Sequence, residues 1–165
     1  MDKSTQDTMF SSKSAEWATP QHFFDKLEEF FGTFTLDPCS NASNYKVKNH
    51  FTEKDDGLAQ DWGGHNVFMN PPYGRTIKHW VEKAYNESRK ENTTVVALLP
   101  ARTDTKYWHE FVMKAEALYF VKGRLKFGNG DGSAPFPSVV ALFKRVDGPA
   151  AMPRLGVLLA KEKRK

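Results

Sequence analysis

The chain has 165 residues, 39% of them hydrophobic, with a formal net charge of +4 and a pI near 9.1. That length suits one domain with its own core, and the hydrophobic share excludes an intrinsically disordered polymer. A single cysteine, Cys39, excludes an internal disulfide and fits a reducing cytoplasm. No apolar run approaches the ~20 residues that cross a bilayer, which excludes a membrane span. The charge is compatible with a nucleic-acid partner without requiring one.

Residues 1–14 are polar and rich in Ser, Thr and Lys, and are expected to form a flexible N-terminus ahead of one domain over 15–160, with a basic tail over 161–165. Thr19 is a good N-cap and Pro20 a good first helical residue. Phe23, Phe24, Leu27, Phe30 and Phe31 then recur at helical spacing, so the pattern predicts a helix over 20–31 ended by Gly32. Phe34-Thr35-Leu36 reads as a short strand running into Asp37-Pro38, followed by an irregular stretch with one further strand near 49–52. Asn66 to Met69 is a buried strand, and Ile77, Trp80, Val81, Ala84, Tyr85 and Ser88 mark a helix.

Thr94 to Leu99 is a near-continuous apolar run, as in a central parallel strand covered on both faces. Asp104 is placed to cap a helix whose buried side carries Tyr107, Trp108, Phe111, Val112 and Ala115. Strands follow at 117–121, 124–127 and 138–143, and a last apolar run spans Leu155 to Ala160. The alternation predicts an α/β domain with a mostly parallel sheet and helices on both faces. Ligands of such sheets bind at the carboxyl ends of strands, where Asp37, Asn70 and Arg102 fall.

Asn70-Pro71-Pro72-Tyr73 carries the most chemistry. Each proline fixes its own φ and holds the preceding residue extended. The Asn70 amide and the Pro71 carbonyl can therefore converge on one spot at little entropic cost. Two such acceptors suit a planar NH₂ group, and Tyr73 can stack on the ring that bears it.

This motif resembles the catalytic motif of S-adenosylmethionine-dependent amino methyltransferases that modify adenine N6. Other blocks accompany it in order: Trp17-Ala18-Thr19-Pro20, Leu36-Asp37-Pro38-Cys39, Asp56-Gly57-Leu58 with Trp62, Leu99 to Thr105, Gly123-Arg124-Leu125-Lys126-Phe127, and Ala134 to Ser138. Together they make the chain similar to the small phage and prophage DNA adenine methyltransferases of the Dam type, over roughly Trp17 to Phe143. The resemblance implies a Rossmann-like methyltransferase fold, S-adenosylmethionine as cofactor and DNA as partner. It implies Asn70, Pro71, Pro72 and Tyr73 as the catalytic group. Asp37 would hold the methionine ammonium of the cofactor, with Pro38 stiffening the turn beside it, and Asp56 its adenine amino group. Trp17, Thr19 and Asn41 would complete the cofactor pocket. The loop after Asp37 (Cys39 to Asn44) departs from the broader methyltransferase pattern in having no glycine.

Arg124 and Lys126 precede a flexible Gly-rich segment and are candidates for DNA phosphates, as are Arg102, Arg75 and Lys78 around the expected mouth. His22, His50, His65, His79 and His109 show no metal-binding spacing, so no metal is expected. Cys39 sits in the expected cofactor loop, so it is discounted as a cytosine-C5 nucleophile. Three other readings compete. Cytosine N4 presents similar chemistry but more often pairs with Ser in place of Asn. Protein glutamine amides are methylated at the same tetrapeptide, in enzymes with a Gly-rich cofactor loop. A non-catalytic DNA-binding or decoy relative would be favoured by the Gly-poor loop. Monomer and dimer both remain open.

Overall fold

The computed structural model describes residues 18–128, 132–148 and 151–162. The expected flexible segment 1–14, Trp17, part of the Gly-rich loop and the end of the basic tail lie outside these residues. Helix α1 spans Gln21–Phe31 and buries Phe23, Phe24 and Leu27 on one stripe. Pro20, one residue later than expected, is its N-cap, and the Thr19 side chain does not cap it. Gly32 ends it at φ 89°, donating its N–H to Glu28 O at 2.9 Å, a backbone shape that suits glycine.

The chain then joins the sheet. Strands β1 (Asn66–Met69), β2 (Thr94–Pro100), β3 (Ala117–Lys122), β4 (Ser138–Lys144) and β5 (Arg154–Leu159) form one five-stranded sheet in the order β1-β2-β4-β3-β5. The segment 34–36 adds to the β1 edge through a parallel bridge between Leu36 and Val67. The Phe68 N–H donates to Leu36 O at 3.0 Å. Asp37 in turn pairs with His50 in an isolated bridge, so the strand expected near 49–52 reduces to that single contact.

The sheet is mixed, and the expectation of a mostly parallel one does not hold. β1 pairs parallel with β2 and β3 with β5, but β4 pairs antiparallel with both β2 and β3. The physical reason lies in the connections. β4 returns from β3 through residues 123–137 without a crossover helix, so it enters the sheet reversed. β4 alone runs against the others, so 34–36, β1 and β2 still point the same way and end on one edge of the sheet. Residues 124–127 form no strand; the Ala134 N–H closes a loop on Leu125 O at 2.8 Å, and the Gly128 N–H reaches Ala18 O at 2.8 Å.

Asn66, Phe68 and Tyr119 share the face covered by α1. Phe68 meets Phe24 edge-on at 5.1 Å, and Tyr119 meets Phe30 and Phe31 at 5.3 and 5.4 Å. Val95, Ala97 and Leu99 of the other face are fully buried. Each fully buried Val or Leu contributes roughly 1.5–3 kcal/mol, so β2 is a principal source of stability. Helix α2 (Ile77–Ser88) packs on β2 and β4. Helix α3 (Lys106–Glu110) is shorter than its apolar pattern suggests and is capped by Thr105, which accepts from the Trp108 N–H, and not by Asp104.

Behind α2 a buried polar anchor fixes the loop before β1. Glu87, 2% exposed, accepts from the Trp62 N–H at 3.2 Å and pairs with Lys83 at 2.7 Å and with Lys90. The Trp62 ring is fully buried, and its Nε1–H donates to Gly57 O at 2.9 Å.

Candidate active site

A cleft of about 400 Å³ opens at the carboxyl ends of the 34–36 segment and β1. It gathers Thr19, Asp37, Pro38, Asn41, Asp56 and the whole of Asn70-Pro71-Pro72-Tyr73. Asn70 follows directly on β1, whose parallel pairing with 34–36 brings it beside Asp37. Its side-chain Nδ2 donates to Thr19 Oγ1 at 3.0 Å. The threonine expected at the helix cap thus orients the motif amide instead. Pro71 is buried and Pro72 exposed. Tyr73 is 5% exposed, its hydroxyl donates to Leu98 O at 3.3 Å, and its ring stands edge-on to Phe136 at 5.3 Å and Phe127 at 6.3 Å.

Asp37 is 3% exposed, and burial pushes its pKa up to about 6 from 3.8, against the amides of Lys46 and Cys39 and the charges of His50 and Lys46. A carboxylate kept in such a place is ready for a cationic ligand. Pro38 lies against Gly57: a Cβ there would come within 2.0 Å of Pro38 O and 3.1 Å of Trp80 Cη2. Only glycine fits, and the contact sets the wall formed by Asp56 and Gly57. Asp56 is exposed and left-handed at φ 53°. Asn41 accepts from the amides of Ser43 and Asn44 at 2.9 Å each, so its side chain shapes the loop that stands where glycines were expected. Burial and the Asp37 charge push the Cys39 thiol well up, against a hydrogen bond from the Asn70 amide, so it stays protonated.

The five basic candidates do not line the cleft. Arg75 and Lys78 are exposed just beyond the motif, Arg102 is half-buried after β2, Arg124 donates to Ala134 O at 3.2 Å, and Lys126 is exposed. The cleft also includes Lys46, Thr52, Phe68, Thr76 and Trp80, which sequence reasoning did not single out for it. Lys46 sits in an irregular stretch where no periodicity could mark it. Trp80 reads from its spacing as a core position on α2.

An acid at one strand end and a rigid Asn-Pro-Pro-Tyr at the next thus open on a shared cleft. The family model for DNA N-6-adenine-methyltransferase (Dam) matches residues 6–150. A DNA N-6-adenine-methyltransferase of Haemophilus phage HP1 (strain HP1c1) is 38% identical over 117 residues, covering 70% of this chain and 67% of that protein. A protein of Escherichia coli (strain K12) named "Putative methyltransferase YfdM" is 34% identical over 64 residues, or 35% of this chain and 70% of that protein. The chain belongs to the DNA N-6-adenine-methyltransferase (Dam) family and is an adenine-specific DNA methyltransferase. Among the described residues no helix is long and apolar enough to cross a membrane.

Proposed function

We propose that the reaction takes place in this cleft, with S-adenosylmethionine as methyl donor and adenine N6 of DNA as acceptor. The observation that carries this reading is the meeting of Asp37 with Asn70-Pro71-Pro72-Tyr73 on one wall system. The residues fit the cofactor on two counts. The buried Asp37 carboxyl, raised to about 6, is relieved by an ammonium. The tight Gly57 contact with Pro38, which any larger residue would disturb, holds Pro38 and Asp56 on the cleft lining. Pro38 stiffens the turn, and Asn41 keeps its loop in shape.

S-adenosylmethionine supplies an electrophilic methyl group. The protein must prepare the nucleophile, because adenine N6 delocalises its lone pair into the ring. The Asn70 side-chain oxygen and the Pro71 carbonyl accept the two N6 hydrogens and stabilise the positive charge that grows on nitrogen. Thr19 holds the donor end of the Asn70 amide, so the acceptor end meets the substrate. Tyr73, fixed by Leu98 and the two phenylalanines, serves as a wall against the base. Adenine in a duplex must be flipped out to arrive there. Arg75, Lys78, Arg102, Arg124 and Lys126 meet phosphates outside the cleft.

The sheet, with its one reversed strand, is read as a shortened Rossmann-like methyltransferase sheet. The relative in phage HP1 supports a phage or prophage origin, and action on DNA in a bacterial host places the enzyme in the cytoplasm. The test uses unmethylated bacterial DNA and S-adenosylmethionine labelled on its methyl group, followed by digestion to nucleosides. Label in N6-methyladenine is expected; label in N4-methylcytosine, or none, contradicts the reading.

A further inference from the structure

S-adenosylmethionine carries an ammonium and a carboxylate on one carbon, so its receptor must answer both charges. Asp37 answers the first. The loop that follows offers little to the second, because five of the six backbone donors over 39–44 are committed within the chain. The Cys39 amide donates to Asp37 Oδ1 at 3.4 Å, that of Ser40 to Phe51 O at 3.1 Å, and that of Asn41 to Asn44 Oδ1 at 2.7 Å. The amides of Ser43 and Asn44 both go to Asn41 Oδ1. A glycine-rich loop could present such amides to a carboxylate; this one spends them on holding its own shape. A cationic side chain is then the stronger partner for the carboxylate.

Among the described residues lining the cleft, Lys46 is the one cationic side chain. It is tied to Asp37 by its own backbone, whose N–H donates to Asp37 Oδ2 at 3.2 Å. The Lys46 backbone is therefore held beside the acid. The ammonium is steered from the other side. Nζ donates to Gln21 Oε1 at 3.0 Å, and Gln21 is itself held by Asp25 through a 2.8 Å bond from Nε2 to Oδ1. Burial draws the Lys46 pKa below its ordinary value, opposed by the charges of Asp25 and Asp37, as expected of a partly desolvated cation next to a binding site.

We infer that Lys46 binds the α-carboxylate of S-adenosylmethionine and that Lys46 and Asp37 together form a two-charge receptor for its amino-acid end. This rests on the reading of the cleft as the cofactor site. It assigns recognition of the amino-acid portion to a lysine placed nine residues after the acid, in a loop that has no glycine to do the task.

The test is calorimetric binding to the full chain, without DNA, of S-adenosylmethionine and of its decarboxylated analogue, which lacks only the carboxylate. A charge-assisted hydrogen bond of this kind corresponds to roughly ten- to a hundredfold in affinity. Wild type is expected to prefer S-adenosylmethionine by about that factor. Lys46→Met should lose the preference while binding the analogue as wild type does, which also shows that the variant is folded. Lys46→Arg should recover part of it. A Lys46→Met protein that keeps the full preference overturns the inference and leaves the cofactor cleft intact. Wild type that binds neither compound overturns the cleft reading and this inference with it.

Discussion

Asn70 and Thr19, 51 residues apart in sequence, meet through a 3.0 Å hydrogen bond from the Asn70 Nδ2 to the Thr19 Oγ1. The bond selects one orientation of the motif amide and ties the segment before α1 to the end of β1. Thr19→Ala should therefore lower turnover by about tenfold, as the amide samples unproductive orientations, with cofactor affinity changed less than threefold. Thr19→Ser should restore most of the rate. Single-turnover kinetics with calorimetric cofactor binding separates the two effects.

Asp37 makes both stability and binding depend on pH. Its folded-state pKa of about 6 lies above the 3.8 of an ordinary Asp, so the fold holds this proton more tightly than the unfolded chain does. The stability this supplies is fully present below about pH 4 and is lost as pH rises through about 6. Asp37→Asn removes that loss and should make the ligand-free protein more stable at neutral pH by on the order of 1–3 kcal/mol in urea denaturation. Cofactor affinity should move the other way. It should fall towards tenfold per pH unit below about 6 in wild type, and be weak and nearly independent of pH in Asp37→Asn.

Gly57→Ala places a methyl group 2.0 Å from Pro38 O, where backbone must yield. The expected result is a stability loss of about 2 kcal/mol or more together with weaker cofactor binding, because the Asp56 and Pro38 walls move apart. Thermal denaturation with and without S-adenosylmethionine measures both. A variant with wild-type stability would show that the contact relaxes freely.

Trp62→Phe keeps a ring in the core and removes the Nε1–H that donates to Gly57 O at 2.9 Å. Loss of the bond and of ring volume should cost about 2–4 kcal/mol of stability. If the indole also sets the Gly57 turn, the Michaelis constant for S-adenosylmethionine should rise several-fold while kcat holds. Steady-state kinetics at saturating DNA checks this.

Much of this architecture is legible in the sequence where one element decides it. The helical spacing of Phe23, Phe24 and Leu27 defines α1, and the run Val95 to Leu99 defines a buried central strand. That Asp37 and Asn70 would share one cleft is legible because a strand end followed by proline fixes where each side chain emerges. What could not be read depends on contacts between distant segments. The direction of β4 follows from a hairpin-like return whose composition resembles any loop. The role of Thr19 depends on Asn70 arriving beside it, which turns a cap into an anchor. Lys46 lies in a stretch without periodicity, and its place is decided by its amide reaching Asp37.

The most direct measurement compares wild type with Asn70→Ala in two assays on the same samples: methyl transfer from labelled S-adenosylmethionine to unmethylated DNA, and calorimetric binding of the cofactor. The account predicts N6-methyladenine from wild type and a loss of at least about a hundredfold in the variant, with cofactor affinity unchanged within a few-fold. Methylation by Asn70→Ala at the wild-type rate would contradict it, because the two-acceptor clamp on N6 would then not be the source of catalysis.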